Sequence, residues 1–501
     1  MPLASTHAPR ERRLHPWSWL FVLLQQLKQF IVPLGALLIF GGRTDRDEPW
    51  QHLASIIVVA VLVASALLRY LTYRYRIGED GLTVRSGWLN RSVREIPFAR
   101  IHNVGVHQSL LHRMFGVAEV RLESAGGNKP EAEMRVLSLE DALALEQQVR
   151  HRGTPPHAAP AHDAPSADTL LSLSPGEVVR LGLISNRGML AVAAAFGATY
   201  QFFPERVVAN FIEVYGRQAY GYASALHLGW MAGALTAFML AALALVALRA
   251  LSVLLALLQY HGFRLSEHQR RLTVERGLLT RLRTSVSRRR IQSWTLEEGV
   301  LHRVFGRRSL RVETAVAERQ DQNARALKEL APLATPATCD GLVRHVLSGA
   351  QWPPRQWQAV PAGQWWRLSL PALCLIPSIT AAAVWRWDHW GWLPLLWLPW
   401  SALKSYREMQ RMGWSMDDAL VAVRGGWWSR WWRFAEVAKL QALRLERSPL
   451  DRRFGTASLL LDTAGATSGA PALRIAFLPL AQAEQLHAAL CQAMARQRLH
   501  W

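Results

Sequence analysis

Three stretches of this chain are copies of one another, and any fold drawn for one must serve all three. Leu82-Thr83-Val84 returns 190 positions later as Leu272-Thr273-Val274. At the same offset Gly87 matches Gly277, Arg100-Ile101 matches Arg290-Ile291, and Leu111-His112-Arg113 matches Leu301-His302-Arg303. Phe115-Gly116 matches Phe305-Gly306, and Arg121 and Glu123 match Arg311 and Glu313, with no gap needed. A third copy lies 149 positions further on. There Val423, Gly426, Gln441, Leu450, Arg452, Phe454-Gly455 and Asp462 align with Val274, Gly277, Gln292, Leu301, Arg303, Phe305-Gly306 and Glu313. Self-similarity at a fixed offset marks a repeated structural unit. The third copy has drifted: Asp451 replaces the histidine, and Lys439-Leu440 replaces Arg-Ile.

Period-two alternation makes each copy a set of short strands. In the first copy these are Leu82 and Val84 ahead of Gly87, then Ile101, Val104 and Val106, then Val120, Leu122 and Val136. A helix closes each copy. Ser138 and Asp141 form a capping box before Ala142, Leu145 and Val149; Thr335-Pro336 opens the second helix; Leu480–Met494 is the third. The expected unit is a small β-sandwich or barrel plugged by a C-terminal helix. Phe115, Phe305 and Phe454 should fill its core, and the glycine after each should permit a tight turn.

Paired apolar runs precede each copy. A transmembrane helix needs about 20 mostly apolar residues, and six stretches approach that: Leu20–Phe40, Leu53–Leu68, Met189–Phe203, one within Leu226–Gln259, Leu368–Val384, and Trp390–Leu403. The expectation is an α+β membrane protein with six transmembrane helices in three hairpins, alternating with three β-modules. The chain divides into an N-terminal segment with the first hairpin (1–72), a first module (73–150), a flexible Pro/Ala-rich linker (151–169), a second hairpin (170–260), a second module (261–350), a third hairpin (351–411) and a third module (412–501). No small-residue cleavage signal follows Phe40, so the first span reads as retained.

Charge sets the orientation. The net charge is +21, and the loops within the three hairpins are not net positive. Basic residues crowd the other side, from Arg10–Arg13 through Arg69, Arg74 and Arg76 to the Arg264–Arg311 region. The positive-inside rule therefore puts the N-terminus and all three modules in the cytoplasm. A basic chain anchored in a bilayer meets acidic headgroups first, so the expected partners are the bilayer, its anionic lipids and other membrane proteins, and not nucleic acid. Fifteen of the 22 tryptophans fall between Trp352 and Trp432. Trp385, Trp387, Trp390 and Trp392 suit the headgroup region at the turn of the third hairpin, while Trp427, Trp428, Trp431 and Trp432 suit packing within the third module.

Chemistry is sparse. No HExxH, P-loop, GxSxG or GxGxxG is present, and Cys339, Cys374 and Cys491 stand far apart without a Cys/His cluster. No catalytic residue, cofactor or metal is expected. Two features remain. Arg281, Arg283, Arg288, Arg289 and Arg290 give five positive charges without an acid, a candidate for anionic lipid. Arg249 interrupts the fourth apolar run; it is either an intramembrane charge with a function or the mark of a span that ends near Leu248.

The stretches Arg13–Trp19, Tyr75–Leu89, Ile96–Val104 and Leu110–Gly116, in this span-and-repeat order, resemble the bacterial pleckstrin-homology-like membrane proteins of the YdbS/YdbT type, in the longer, three-domain form. The resemblance implies strongly bent β-sandwiches capped by a C-terminal helix, and a small YdbS-like protein as a partner. It supplies no activity and no catalytic residues. The expected function is a non-enzymatic scaffold whose cytoplasmic modules bind envelope proteins or anionic headgroups. A transporter or channel subunit built on the six helices is the alternative.

Overall fold

The computed structural model describes residues 12–24, most of 60–124, 132–151, 168–202, 230–314, 328–463 and 473–496. The first module runs β1 (Arg12–Arg13), β2 (Arg74–Ile77), β3 (Gly81–Ser86), β4 (Ser92–Pro97), β5 (Ile101–Gln108), α1 (Leu110–Met114), β6 (Val117–Ser124), β7 (Ala132–Ser138) and α2 (Leu139–His151). The second begins with β8 (Asp168–Ser172), passes through α3 (Pro175–Ile184), α4 (Arg187–Phe202) and α5 (Trp230–Tyr260), and continues with β9 (Arg264–His268), β10 (Arg271–Arg276), β11 (Arg281–Ser287), β12 (Ile291–Glu298), α6 (Val300–Val304), β13 (Arg308–Thr314), β14 (Glu329–Ala334) and α7 (Pro336–Val346). The third follows the same plan: β15 (Gln358–Ala359), α8 (Trp365–Trp387), α9 (Trp397–Arg411), β16 (Gly413–Met416), β17 (Leu420–Gly425), β18 (Arg430–Glu436), β19 (Leu440–Glu446), α10 (Pro449–Phe454), β20 (Thr456–Thr463), β21 (Leu473–Pro479) and α11 (Leu480–Arg496).

The closing helices form as their caps dictate. The Ser138 hydroxyl takes the Asp141 amide at 3.0 Å and donates to the Asp141 carboxylate at 2.8 Å. Thr335 caps α7, with Pro336 in its first turn. Two sets of glycines hold positive φ at repeated turns. Gly116, Gly306 and Gly455 stand at +64°, +60° and +64° after the short helices. Gly277 and Gly426 turn the hairpins between the second and third long strands of their modules, where a Cβ would lie 2.0 Å from the Thr280 carbonyl oxygen and 1.9 Å from that of Ser429.

Sheets and modules do not coincide. The sheet orders are β1-β2-β3-β4, β7-β6-β5-β11-β10-β9-β8, β14-β13-β12-β18-β17-β16-β15, and β19-β20-β21. Each module keeps its own core between two sheets. Leu82, Val104, Val120, Met134 and Leu145 lie in the first core, and Val421, Ala435, Leu459, Ile475 and Leu486 in the third. Each inner sheet then runs on into the neighbouring module. At the first seam β11 pairs with β5, Arg283 opposite Val106. At the second β18 pairs with β12, Leu296 opposite Trp432. Ridges of apolar side chains cross the second seam. Phe434 is fully buried in the second module's core, stacked 6.2 Å from Trp294 and 4.0 Å from Trp352. Burying such a ring contributes about 2–3 kcal/mol, so the second and third modules share apolar stabilisation.

The expected six spans are not what the described residues contain. Two helical segments are long and apolar enough to cross a membrane: Gly233–Tyr260, and Ala362–Arg411, which includes α8 and α9. A third counts if α3 and Arg187–Ala198, bent by 56° between them, form one span. Most of the expected spans Leu20–Phe40 and Leu53–Leu68 lies outside the described residues. The fifth and sixth merge into one segment whose legs pack side by side, because α9 is apolar only at its start and then carries Lys404, Arg407, Glu408 and Arg411. At the turn between those legs Trp385 and Trp390 are exposed.

Candidate functional site

A cleft of about 870 Å³ opens where the membrane helices meet the second module. Helix α5 has 31 residues. At 1.5 Å per residue it is about 46 Å long, more than the roughly 30 Å of a bilayer core. It is bare up to Ala247 and packs against protein from Leu248 onward, with Ser252, Ala256 and Tyr260 buried. The packed part, with α3 and the start of α4, forms the apolar wall of the cleft through Leu181, Ile184, Leu190, Leu255 and Leu258. The rest of the lining is polar: Arg276, Arg311 and Lys328 of the second module, with Arg187 from the start of α4, against Glu297 and Glu329. Basic groups exceed acids over an apolar floor. Volume and lining suit a small amphiphile with an anionic end.

Glu329 organises the polar wall. It lies 3.4 Å from Arg187 and 3.1 Å from Arg276 and accepts the Tyr260 hydroxyl. Both guanidinium groups also sit over the Tyr260 ring, 4.5 and 4.7 Å from its centre. Burial pushes the Glu329 pKa up, but the two arginine charges outweigh it and hold the carboxyl below its ordinary range. His302 is held below its ordinary value by burial and by the Arg311 charge, so it lends the cleft no charge at neutral pH.

Arg249 sits at the boundary where α5 changes from bare to packed. Its guanidinium donates to the carbonyls of Leu183 and Ser185 at 3.1 Å and to Asn186 Oδ1 at 3.2 Å. These acceptors lie at the break between α3 and α4, where a helix end leaves carbonyls without intrahelical donors. Arg249 thus caps the bend that forms one edge of the cleft.

The basic segment is dispersed. Arg281 and Arg283 stand on β11, in the first seam; Arg281 reaches Glu275 at 3.3 Å, and Arg283 reaches Glu275 at 3.3 Å and Glu146 at 3.5 Å. Arg288 pairs with Glu267, and the Arg289 carbonyl accepts Lys439 of the third module at 2.5 Å. Burial lowers the Arg290 pKa to about 10. The cleft residues Arg187, Arg276, Arg311 and Lys328 are a different set. Only Arg276, fourteen positions from the basic run's end, is near it in sequence. No sequence motif joined the four.

The repeated Leu-x-Arg-x-Phe-Gly segment does not fill the core. Phe454 is 44% exposed and Phe305 36%. Instead the short helix docks on the chain that leads into the membrane. In the first module Phe115 meets Trp17 at 4.7 Å and His112 meets Phe21 at 4.2 Å. In the second, Arg307 pairs with Glu177 of α3 at 2.6 Å. In the third, Phe454 meets Trp366 at 5.4 Å and Asp451 pairs with Arg367 at 2.7 Å. The joint recurs with different contacts: a Phe–Trp pair in the first and third modules, joined in the third by the Asp451 ion pair, and in the second an ion pair from Arg307, just beyond the short helix. Trp427 and Trp428 do similar work, packing 5.9 and 5.7 Å from Trp400 on α9.

Repeated β-modules, each closed by a helix and set among apolar helices long enough to cross a membrane, define a membrane protein built from PH-like domains. The sequence matches the bacterial PH domain family over residues 22–153, 223–334 and 367–494, and the chain belongs to that family. It is similar to the UPF0699 transmembrane protein YdbT of Bacillus subtilis (strain 168), at 20% identity over 336 residues, 64% of this chain and 66% of the relative. The match thus spans about two thirds of that relative's length. No solved structure matches the chain.

Proposed function

We propose that this chain is a non-enzymatic, multi-pass membrane scaffold whose cleft between α5 and the second module holds the headgroup of an anionic phospholipid. In this reading the apolar helices anchor the chain, and the modules face the cytoplasm at the bacterial inner membrane. The observation that carries it is the cleft itself: apolar residues of the membrane helices meeting Arg276, Arg311 and Lys328 of the second module, with Arg187 at the start of α4, where the exposed part of α5 ends. Each basic residue near an anionic surface contributes about 1 kcal/mol. No observation among the described residues favours the transporter alternative.

The test uses the full chain in nanodiscs of phosphatidylcholine with graded phosphatidylglycerol, with retained lipid counted by native mass spectrometry. Phosphatidylglycerol should be retained preferentially. Arg311→Ala with Lys328→Ala should weaken that preference about 10- to 30-fold, two charges' worth. Equal retention of both lipids by the unaltered chain defeats the proposal.

A further inference from the structure

The two seams are the same joint used twice. At both, the outer strand of the later module (β11, β18) lies on the inner strand of the earlier one (β5, β12). The registers agree once the repeat offsets are applied: Ser285 opposite Val104 is the counterpart of Phe434 opposite Trp294. The motif arginine of the earlier module also reaches across each seam to a turn carbonyl of the later one. Arg113 donates to Leu278 O at 3.1 Å and Arg303 to Trp428 O at 3.0 Å. Ion pairs cross with fixed polarity, arginine on the later module and glutamate on the earlier: Arg283–Glu146 at 3.5 Å, Arg430–Glu298 at 3.6 Å and Arg433–Glu313 at 2.5 Å.

Three modules have two such seams, so one half-joint remains at each end. At the head, β4 is the counterpart of β11 and β18. Among the described residues no strand pairs with its outer edge, and five of its six residues are exposed. Trp88, in the hairpin turn that would accept a motif arginine, is 64% exposed. At the tail, β19 is the counterpart of β5 and β12 and also ends its sheet. Arg452, the third motif arginine, is exposed.

Charge decides what fits. Carried to the ends, the seam register sets Arg91 opposite Arg447 and Arg94 opposite Arg444, where the second seam sets Arg430 opposite Glu298 and Arg433 opposite Thr295. Like charges directly opposite on paired strands repel. The chain's own tail is therefore a poor occupant for its head, and an open head-to-tail filament is avoided. Yet Arg91 and Arg94 occupy the positions of Arg430 and Arg433, so an incoming strand that brings carboxylates there meets opposite charge and not like charge. Pro97, which has no amide hydrogen to donate, lies beyond the stretch the seam register uses.

We propose that β4 is a docking edge for a PH-like module of a separate protein. That module would add its inner strand in the seam register and bring carboxylates at the positions held here by Glu298 and Glu313. Arg444 and Arg447 keep the chain's own tail off that edge. The proposal is independent of lipid binding in the cleft.

The test makes the tail into the missing partner. The unaltered full chain in detergent should sediment as a monomer. The variant Arg444→Thr with Arg447→Glu, which copies Thr295 and Glu298 onto β19, should associate head to tail with an affinity at least about tenfold higher. In that variant Val93→Cys with Leu445→Cys, a pair the register sets face to face, should form an intermolecular disulfide. Adding Arg91→Glu and Arg94→Glu should return it to monomer. Both tail positions are exposed, and unchanged circular dichroism confirms the fold. A tail-converted chain that stays monomeric overturns the docking edge. Unaltered chains that already associate through Val93 and Leu445 overturn the separate occupant in favour of a second copy.

Discussion

Replacing Asp451 by alanine tests whether the short helices hold the modules to the membrane segments. Asp451 is 2% exposed and Arg367, in the first turn of α8, is 8% exposed. Their 2.7 Å contact is supported by the Thr456 hydroxyl, 2.6 Å from the carboxylate, and by Ser448, which donates its hydroxyl at 2.7 Å and its amide at 2.9 Å. Arg367 also donates to Thr456 at 3.0 Å and Ser448 at 3.3 Å. Removing the carboxylate leaves a buried guanidinium uncompensated, which costs about 3–5 kcal/mol. Most of that should return when Arg367→Met is added, because the cost is an unpaired buried charge and not a lost attraction. Hydrogen exchange is the suitable assay, since one unfolding midpoint averages over several modules. Amides of Trp366–Leu370 and Leu450–Thr456 should lose protection in the single variant and regain it in the double. Burial raises the Asp451 pKa, but its hydrogen bonds to Thr456, Ser448 and Arg367 lower it more, so the net shift is well down. A depressed carboxylate contributes stability that is present above its unfolded pKa of about 3.9 and lost as pH falls through the folded value. The joint should therefore persist at pH 4. A change in local opening below about 0.5 kcal/mol in Asp451→Ala would refute the reasoning.

Glu329→Gln removes the one carboxylate between Arg187 and Arg276; it should loosen β14 by about 1–3 kcal/mol by hydrogen exchange, yet raise phosphatidylglycerol retention several-fold through the added net charge. The same carboxylate is held low, so its contribution should fade only as pH drops through and below the ordinary glutamate range, read as acid-dependent exchange at Tyr260 and Glu329. Gly277→Ala meets the Thr280 carbonyl at positive φ and should destabilise the second module by more than Gly116→Ala, which meets nothing within 4 Å and bears only the backbone penalty of about 1 kcal/mol; thermal unfolding followed by tryptophan fluorescence ranks the two. Arg249→Ala removes its bonds to Leu183, Ser185 and Asn186, leaving the Ser185 carbonyl only the Ser252 hydroxyl, and should raise exchange at the α3–α4 bend by about 1.5–3 kcal/mol of local stability.

Much of the architecture was legible because it rests on local rules. Repeat offsets located three modules, Ser138 and Thr335 marked the closing helices, and a glycine after each phenylalanine marked a turn at positive φ. The edge strands β1, β8 and β15 were not legible. Two of them are only two residues long, too short for any period, and each pairs with a strand far along the chain. The one recurring signal ahead of each hairpin is a proline, at His15-Pro16, Ser174-Pro175 and Val360-Pro361. The cleft was invisible for a similar reason: Arg187, Arg276 and Glu329 are far apart in sequence and meet only around Tyr260.

The sequence by itself determined that one unit occurs three times, that apolar segments separate the copies, and that each unit is strands followed by a helix. Those properties follow from periodicity and capping, which neighbours along the chain decide. Only the tertiary structure decided which strand edges meet. Related copies present related edges, so nothing local says whether β11 ends its own sheet or continues β5. Its arginines read as an exposed basic run until folding brought Glu275 and Glu146 beside them. Phe115 and Phe454 read as core until the preceding segment brought Trp17 and Trp366 against them. In both cases the deciding partner lies on another element, and only the closed fold sets the distance.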